Sequence, residues 1–164
     1  MRYDPEKITI DAGSAVEPVI MMSRMFDAPI EKVWACFTTP EHVEKWFGGE
    51  GFSNKVSQMD LRAGGLWKQI MRIPSGMEIP LEYVYVEVKK PTRLVWQNVD
   101  HGKRKGPPPT NQTAVTLEAH GNRTKWSMVA TFSSIADRDI ARNMGHAETI
   151  AEGCEKFNDL VKTL

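Results

Sequence analysis

The stretch from Phe52 to about Thr131 constrains this chain most. Short β-rich runs alternate there with turn signals, and a single apolar-striped helical segment follows. Strands are predicted near 52–60, 66–73, 79–89, 93–99, 112–119 and 124–132. Their separators are Arg62-Ala63-Gly64-Gly65, Pro74-Ser75-Gly76, Lys89-Lys90-Pro91, the longer 100–111 segment and His120-Gly121-Asn122. Most of these separators are short, and short loops join neighbours in sequence, which makes the sheet antiparallel. Ahead of this run, Val19–Phe26 reads as a further strand, closed by Asp27-Ala28-Pro29, where Asp27 is a candidate helix cap. Ile30, Val33, Trp34 and Phe37 then recur at helical spacing, and Thr39-Pro40 ends that helix. A second short helix spans about Pro40 to Trp46. Behind the sheet segments, Ile140, Met144, Ala147, Ile150, Ala151, Cys154, Phe157 and Val161 mark one face of a long helix. Gly145 is a candidate break in it, and Gly153 predicts a close approach to another element. The order is one strand, two short helices, six strands, one long helix. A twisted seven-stranded sheet must curl around that helix to bury its apolar face.

The 164 residues suit one domain, given a prior of about 150 residues per domain. The reading is a single α+β domain over 1–164, with about 1–7 as a loose tail. Lys and Arg number 21, as do Asp and Glu. A balanced charge argues against a nucleic-acid binder that works by global phosphate neutralisation. No stretch approaches the roughly 18 apolar residues of a membrane helix, and no signal peptide is visible, so a cytoplasmic protein is expected. Cys36 and Cys154 form no metal or redox motif and are expected as buried free thiols.

Several motifs look like a known family. Arg24-Met25-Phe26-Asp27-Ala28-Pro29, Val33-Trp34, Phe37-Thr38, Pro40-Glu41-His42 and Trp46-Phe47 resemble the opening of SRPBCC (START-like) proteins. The branch they resemble is that of the activator of heat-shock-protein-90 ATPase. The match runs on through Asp60–Gly65 with Trp67, Met71–Gly76 and Glu87–Leu94. It ends at Glu152-Gly153-Cys154, where the family usually has Trp in place of Cys154. The resemblance implies a helix-grip fold with a hydrophobic cavity under the final helix. It implies little about activity, because fold alone does not set function.

Strand alternation assigns the side chains that face such a cavity. Trp67, Gln69 and Met71 share one face of their strand. Trp126 and Met128 share one with Ala130, Val115 one with Leu117, and Trp96 one with Leu94. Tyr83 and Tyr85 join them, although Val84, Val86 and Val88 are equally good inward candidates. Met144, Ile150 and Cys154 complete the lining from the helix side. An apolar wall of this kind suits a small hydrophobic molecule. No catalytic triad, metal motif or cofactor loop is evident. His146-Ala147-Glu148 lacks the downstream cysteines of a zinc deaminase, and Gly48-Gly49-Glu50-Gly51 lacks the Lys-Ser/Thr of a phosphate loop. Arg62 is expected to pair with Asp60 in a tight turn. Glu82 and Glu87 are the best candidates for acid–base carboxylates near a cavity. The basic, proline-stiffened segment His101–Pro109 reads as a solvated hairpin loop, a grip for an acidic partner or phosphate, or a gate at the cavity mouth.

Three functions compete on this basis. The first is a non-enzymatic binder of a small hydrophobic ligand. The second is a co-chaperone-like domain with a protein partner. The third is a cyclase or hydrolase acting on an aromatic ligand through Glu87 or a tyrosine. A homodimer is left open.

Overall fold

The computed structural model describes residues 2–102 and 108–164. Twelve elements follow one another along the chain. They are β1 (Ile8–Asp11), β2 (Val19–Phe26), α1 (Ile30–Thr38), α2 (Pro40–Trp46), β3 (Ser53–Met59), β4 (Leu66–Arg72), β5 (Glu78–Lys89), β6 (Arg93–Asn98), β7 (Gln112–His120), β8 (Arg123–Thr131), α3 (Ile135–Asn143) and α4 (His146–Val161). All eight strands form one sheet in the order β1-β2-β8-β7-β6-β5-β4-β3. Every pairing is antiparallel. The sheet is α+β helix-grip in kind: its inner face is covered by the helices, and α4 packs against β2, α1, α2 and α3. No helix of the described residues is long and apolar enough to cross a membrane.

The sheet has one strand more than predicted. Ile8-Thr9-Ile10 is too short a run to stand out in sequence. It forms β1 because β2 offers it a free edge, with Ile8 opposite Arg24 and Ile10 opposite Met22. The segment expected as a loose tail, about 1–7, is anchored at two of its residues. Tyr3 packs on the core, and the Asp4 N–H donates to Glu155 Oε1 at 3.3 Å.

The helix boundaries follow local chemistry. Thr39 closes α1 and opens α2, with Pro40 in the first turn, where its missing N–H costs nothing. Asp27 does not cap α1. Pro29 holds that position without a side-chain bond, and Asp27 pairs with Asn158 of α4. Gly145 breaks the terminal helix in two with φ 88°, a left-handed conformation that favours glycine. Gly153 does mark a close approach, to the end of α2 and the loop after it. A Cβ there would stand 3.0 Å from the Gly48 carbonyl oxygen and 3.2 Å from that of Trp46.

A β-bulge resolves the two readings of β5. Tyr83 and Tyr85 point inward, and the register then shifts between Tyr85 and Glu87. The shift returns Val88 to the core side and leaves Val86 44% exposed. Both inward sets are therefore partly right, each on its own side of the bulge.

Candidate functional site

The inner face has two ends of different construction. At the β2–β8 end, helix meets sheet directly. Phe157 of α4 stacks on Phe26 at 4.4 Å between ring centroids, with Phe37 at 4.5 Å and Trp46 at 5.2 Å. Small α4 residues, Ala147, Ala151 and Gly153, allow the close approach, and all three are buried.

At the β4–β6 end the sheet carries its own aromatic cluster. Strand pairing sets Trp67 opposite Tyr83 and Tyr85 opposite Trp96. Trp67 is the hub: Tyr83 lies 4.8 Å away, Trp96 5.3 Å, Phe47 5.7 Å and Tyr85 6.0 Å. Cross-strand aromatic pairs of this kind stabilise a sheet by up to about 1 kcal/mol each. Among the described residues no helix backbone packs as closely on β4, β5 or β6 as α4 does on β2. Burial pushes the Tyr85 hydroxyl well above the usual phenol range.

Beneath this cluster runs a closed polar chain. The Trp67 indole donates to Gln69 Oε1 at 2.8 Å. The Gln69 amide donates to Asn54 Oδ1 at 3.0 Å, and Asn54 Nδ2 donates to the Phe47 carbonyl at 2.8 Å. Gln69 is buried, and its hydrogen bonds serve the fold. Asn54 was not anticipated, since a lone Asn in an edge strand carries no periodic signal. By contrast, Trp126 Nε1 is a buried donor that no described residue accepts.

The predicted lining thus divides. Trp67, Gln69, Tyr83, Tyr85, Trp96, Trp126 and Met128 face the helices from the sheet, and Ile150 and Cys154 face back from α4. Met71 is half-buried and stays outside the core group. Met144 is a correction: it sits 59% exposed at the turn between α3 and α4, because Gly145 ends the α3 register there. Ile140, on the predicted stripe, is exposed for the same reason. Cys36 and Cys154 are buried free thiols, each pushed up to about 12 by burial, so both stay protonated near neutrality.

The carboxylate candidates are also corrected. Glu82 lies on the outer side with Lys68 at 3.5 Å and His101 at 3.3 Å, and Glu87 pairs with Arg93 at 3.0 Å. Neither faces the aromatic cluster, because inward alternation falls on the tyrosines. Arg62 pairs with Asp60 at 2.8 Å, as the turn predicts. Of the basic segment, Lys103–Pro107 lies outside the described residues.

Two arginines are buried. Arg138 is buried, and its guanidinium donates to the carbonyls of Ser14, Glu17 and Val19. Arg24, 6% exposed, donates to Glu155 Oε1 at 3.2 Å and to the Met25 carbonyl at 3.1 Å. Beside Arg24 a surface groove of about 300 Å³ is lined by Glu6, Lys7, Arg24, Met25, Asp27 and Arg123.

A curved antiparallel sheet gripping a C-terminal helix, with an aromatic inner face, defines an α+β helix-grip protein. Residues 27–162 match the family model described as "Activator of Hsp90 ATPase homolog 1-like protein", and the chain belongs to that family. Solved structures show the same fold. A protein of Arthrobacter aurescens aligns at TM-score 0.85 and 21% identity over 95% of this chain and 92% of its own. One from Nitrosomonas europaea aligns at TM-score 0.79 and 25% identity over 92% and 97%. An AHSA1-like protein from Aeromonas hydrophila aligns at TM-score 0.63 and 17% identity over 87% and 92%. No curated protein matches the sequence.

Proposed function

We propose that this chain binds a small hydrophobic molecule between α4 and the inner face of β4–β6. The observation that supports the reading is the aromatic face itself. Trp67, Tyr83, Tyr85 and Trp96 are gathered where no helix packs closely on the strands, so flat apolar surface meets flat apolar surface there. The ligand that fits is aromatic or alicyclic. Catalysis is not part of the proposal, since Glu82 and Glu87 both face outward.

The test is native mass spectrometry of protein from its own host, followed by titration with N-phenylnaphthylamine. A retained small mass and saturable one-to-one fluorescence enhancement are expected. Trp96→Ala should weaken the probe about tenfold, equivalent to about 1.4 kcal/mol. A folded protein that retains nothing and takes up no probe overturns the reading. In that case stimulation of a chaperone ATPase, the activity in the family's description, becomes the next function to assay.

A further inference from the structure

We infer that the groove beside Arg24 is a second binding site, specific for a small carboxylate with a short apolar tail. It exists because β1 stops early. The β1–β2 ladder ends at Ile8 opposite Arg24, and the chain then turns away through Asp4-Pro5-Glu6-Lys7, with the Lys7 N–H bonded back to the Asp4 carbonyl. Pro5 lacks the N–H that would continue an edge strand. The β2 edge from Met25 to Asp27 is left uncovered, and the groove of about 300 Å³ is what remains. That volume is at the lower end for small-molecule sites, about 300–1,000 Å³.

Arg24 is the unusual member. Its Nε covers the Met25 carbonyl, its Nη1 holds Glu155, and its guanidinium carbon lies 5.1 Å from the centroid of the Phe26 ring. Nη2 is bonded by no described residue and is not fully enclosed, although the side chain as a whole is only 3% exposed. A guanidinium held this rigidly presents its remaining N–H groups at a fixed angle, which suits a planar carboxylate. Lys7, on the rim, has no ion-pair partner among the described residues, and Arg123 lines the same groove while paired with Asp27 at 3.0 Å.

The acids around the groove are mostly engaged. Asp27 accepts from Asn158 and Arg123, and Glu155 accepts from Arg24 and from the Asp4 N–H. Glu6 alone is left unheld, on the exposed rim. Free donors therefore outnumber free acceptors, but only slightly. Such a balance favours one negative charge. A phosphate near its second charge would be repelled by Asp27 and Glu6. Half-buried Met25 supplies an apolar wall for a short tail.

Isovalerate is the probe, with isovaleramide as its neutral counterpart and inorganic phosphate as the alternative anion. Titration is followed by the NMR signals of Arg24 Nε–Hε and the Met25 methyl, with the aromatic interior already saturated by N-phenylnaphthylamine. Saturable shifts at both are expected with isovalerate alone. The paired variant Arg24→Gln with Glu155→Gln, which leaves no buried charge unpaired, should bind at least tenfold more weakly. Should that pair not fold, Met25→Glu places a carboxylate beside the same groove and should abolish the shifts. Unsaturable shifts confined to Lys7 and Arg123, equal binding of phosphate or the amide, or wild-type affinity in the variants would overturn the inference. Because the interior is filled throughout, failure here is separable from failure of the interior site.

Discussion

The two ends of the inner face bury similar side chains in different ways. At the β2–β8 end, Phe26 and Phe157 touch across the helix–sheet boundary, and small residues on α4 draw the backbones together. At the β4–β6 end, Trp67, Tyr83, Tyr85 and Trp96 touch mainly one another, all from the sheet side. Helix docking therefore depends on the first end. At the second, the rings are positioned by strand register and by the Trp67–Gln69–Asn54 chain, and they do not depend on α4 for their placement. One end supplies stability and the other supplies the surface proposed for a ligand.

Paired truncations give the largest test of that division. Phe157→Ala should cost about 3–5 kcal/mol of unfolding free energy, the usual range for a buried aromatic. Trp96→Ala, at a half-buried position among sheet partners, should cost no more than about 2 kcal/mol. Urea unfolding of both variants reads the difference. Equal losses would mean that the two ends are packed alike.

Arg138 tests how the tight end is tied to the β1–β2 loop. Its guanidinium satisfies three carbonyls from Ser14 to Val19, and α3 is thereby clamped to that loop. Arg138→Ala should lose about 3 kcal/mol, roughly 1 for each carbonyl left unmet. Arg138→Lys should rescue little, since one ammonium cannot span the same fork. Full stability in Arg138→Lys, by thermal melting, would show that charge and not geometry matters there.

Most of this frame was legible in the sequence, for a physical reason. Alternation and helical spacing are strong where one face is buried, so Trp67, Trp96, Trp126 and Phe157 declared their sides. Three kinds of feature were hidden. β1 is formed by pairing with an available edge, and four residues carry too little pattern. The β5 bulge changes phase in mid-strand, so Tyr85 and Val88 could both face inward. Arg24 and Arg138 broke the rule that charge lies outside, because most of their partners are backbone carbonyls, joined by Glu155, distant in sequence, for Arg24 and by the neighbouring Asp139 for Arg138. The site was legible in its apolar half for the same reason that it is apolar. The groove at Arg24 was not, since it arises where a strand fails to continue.

Gly153→Ala probes a smaller contact at the tight end. A methyl would press on the Gly48 and Trp46 carbonyls at 3.0 Å and 3.2 Å. Overpacking of that order costs about 1–3 kcal/mol, against a gain of about 1 kcal/mol in helix propensity. A net loss of about 1 kcal/mol in thermal or urea unfolding is expected. A stabilised variant would show that the loop yields, and that α4 is less firmly seated than its aromatic contacts imply.

The smallest effect is a pH dependence at Asp27, on the boundary between the tight end and the groove. The hydrogen bond from Asn158 is the main reason the Asp27 carboxyl lies below the usual carboxylate range; burial, next in size, opposes it, and Arg123 adds a weaker lowering. A carboxyl depressed in the folded state stabilises above its unfolded pKa, and the stabilisation is lost as pH falls through the folded value. Asp27→Asn should therefore melt below the wild type at neutral pH, and the gap should close on acidification below about pH 4. The group is largely exposed, so solvent screening keeps the gap under about 1 kcal/mol. A gap that persists unchanged at low pH would assign the loss to the Asn158 hydrogen-bond geometry and not to charge. Asp27 would then act as a rigid link between β2 and α4, and the groove beside it would owe its shape to that link rather than to its ionic balance.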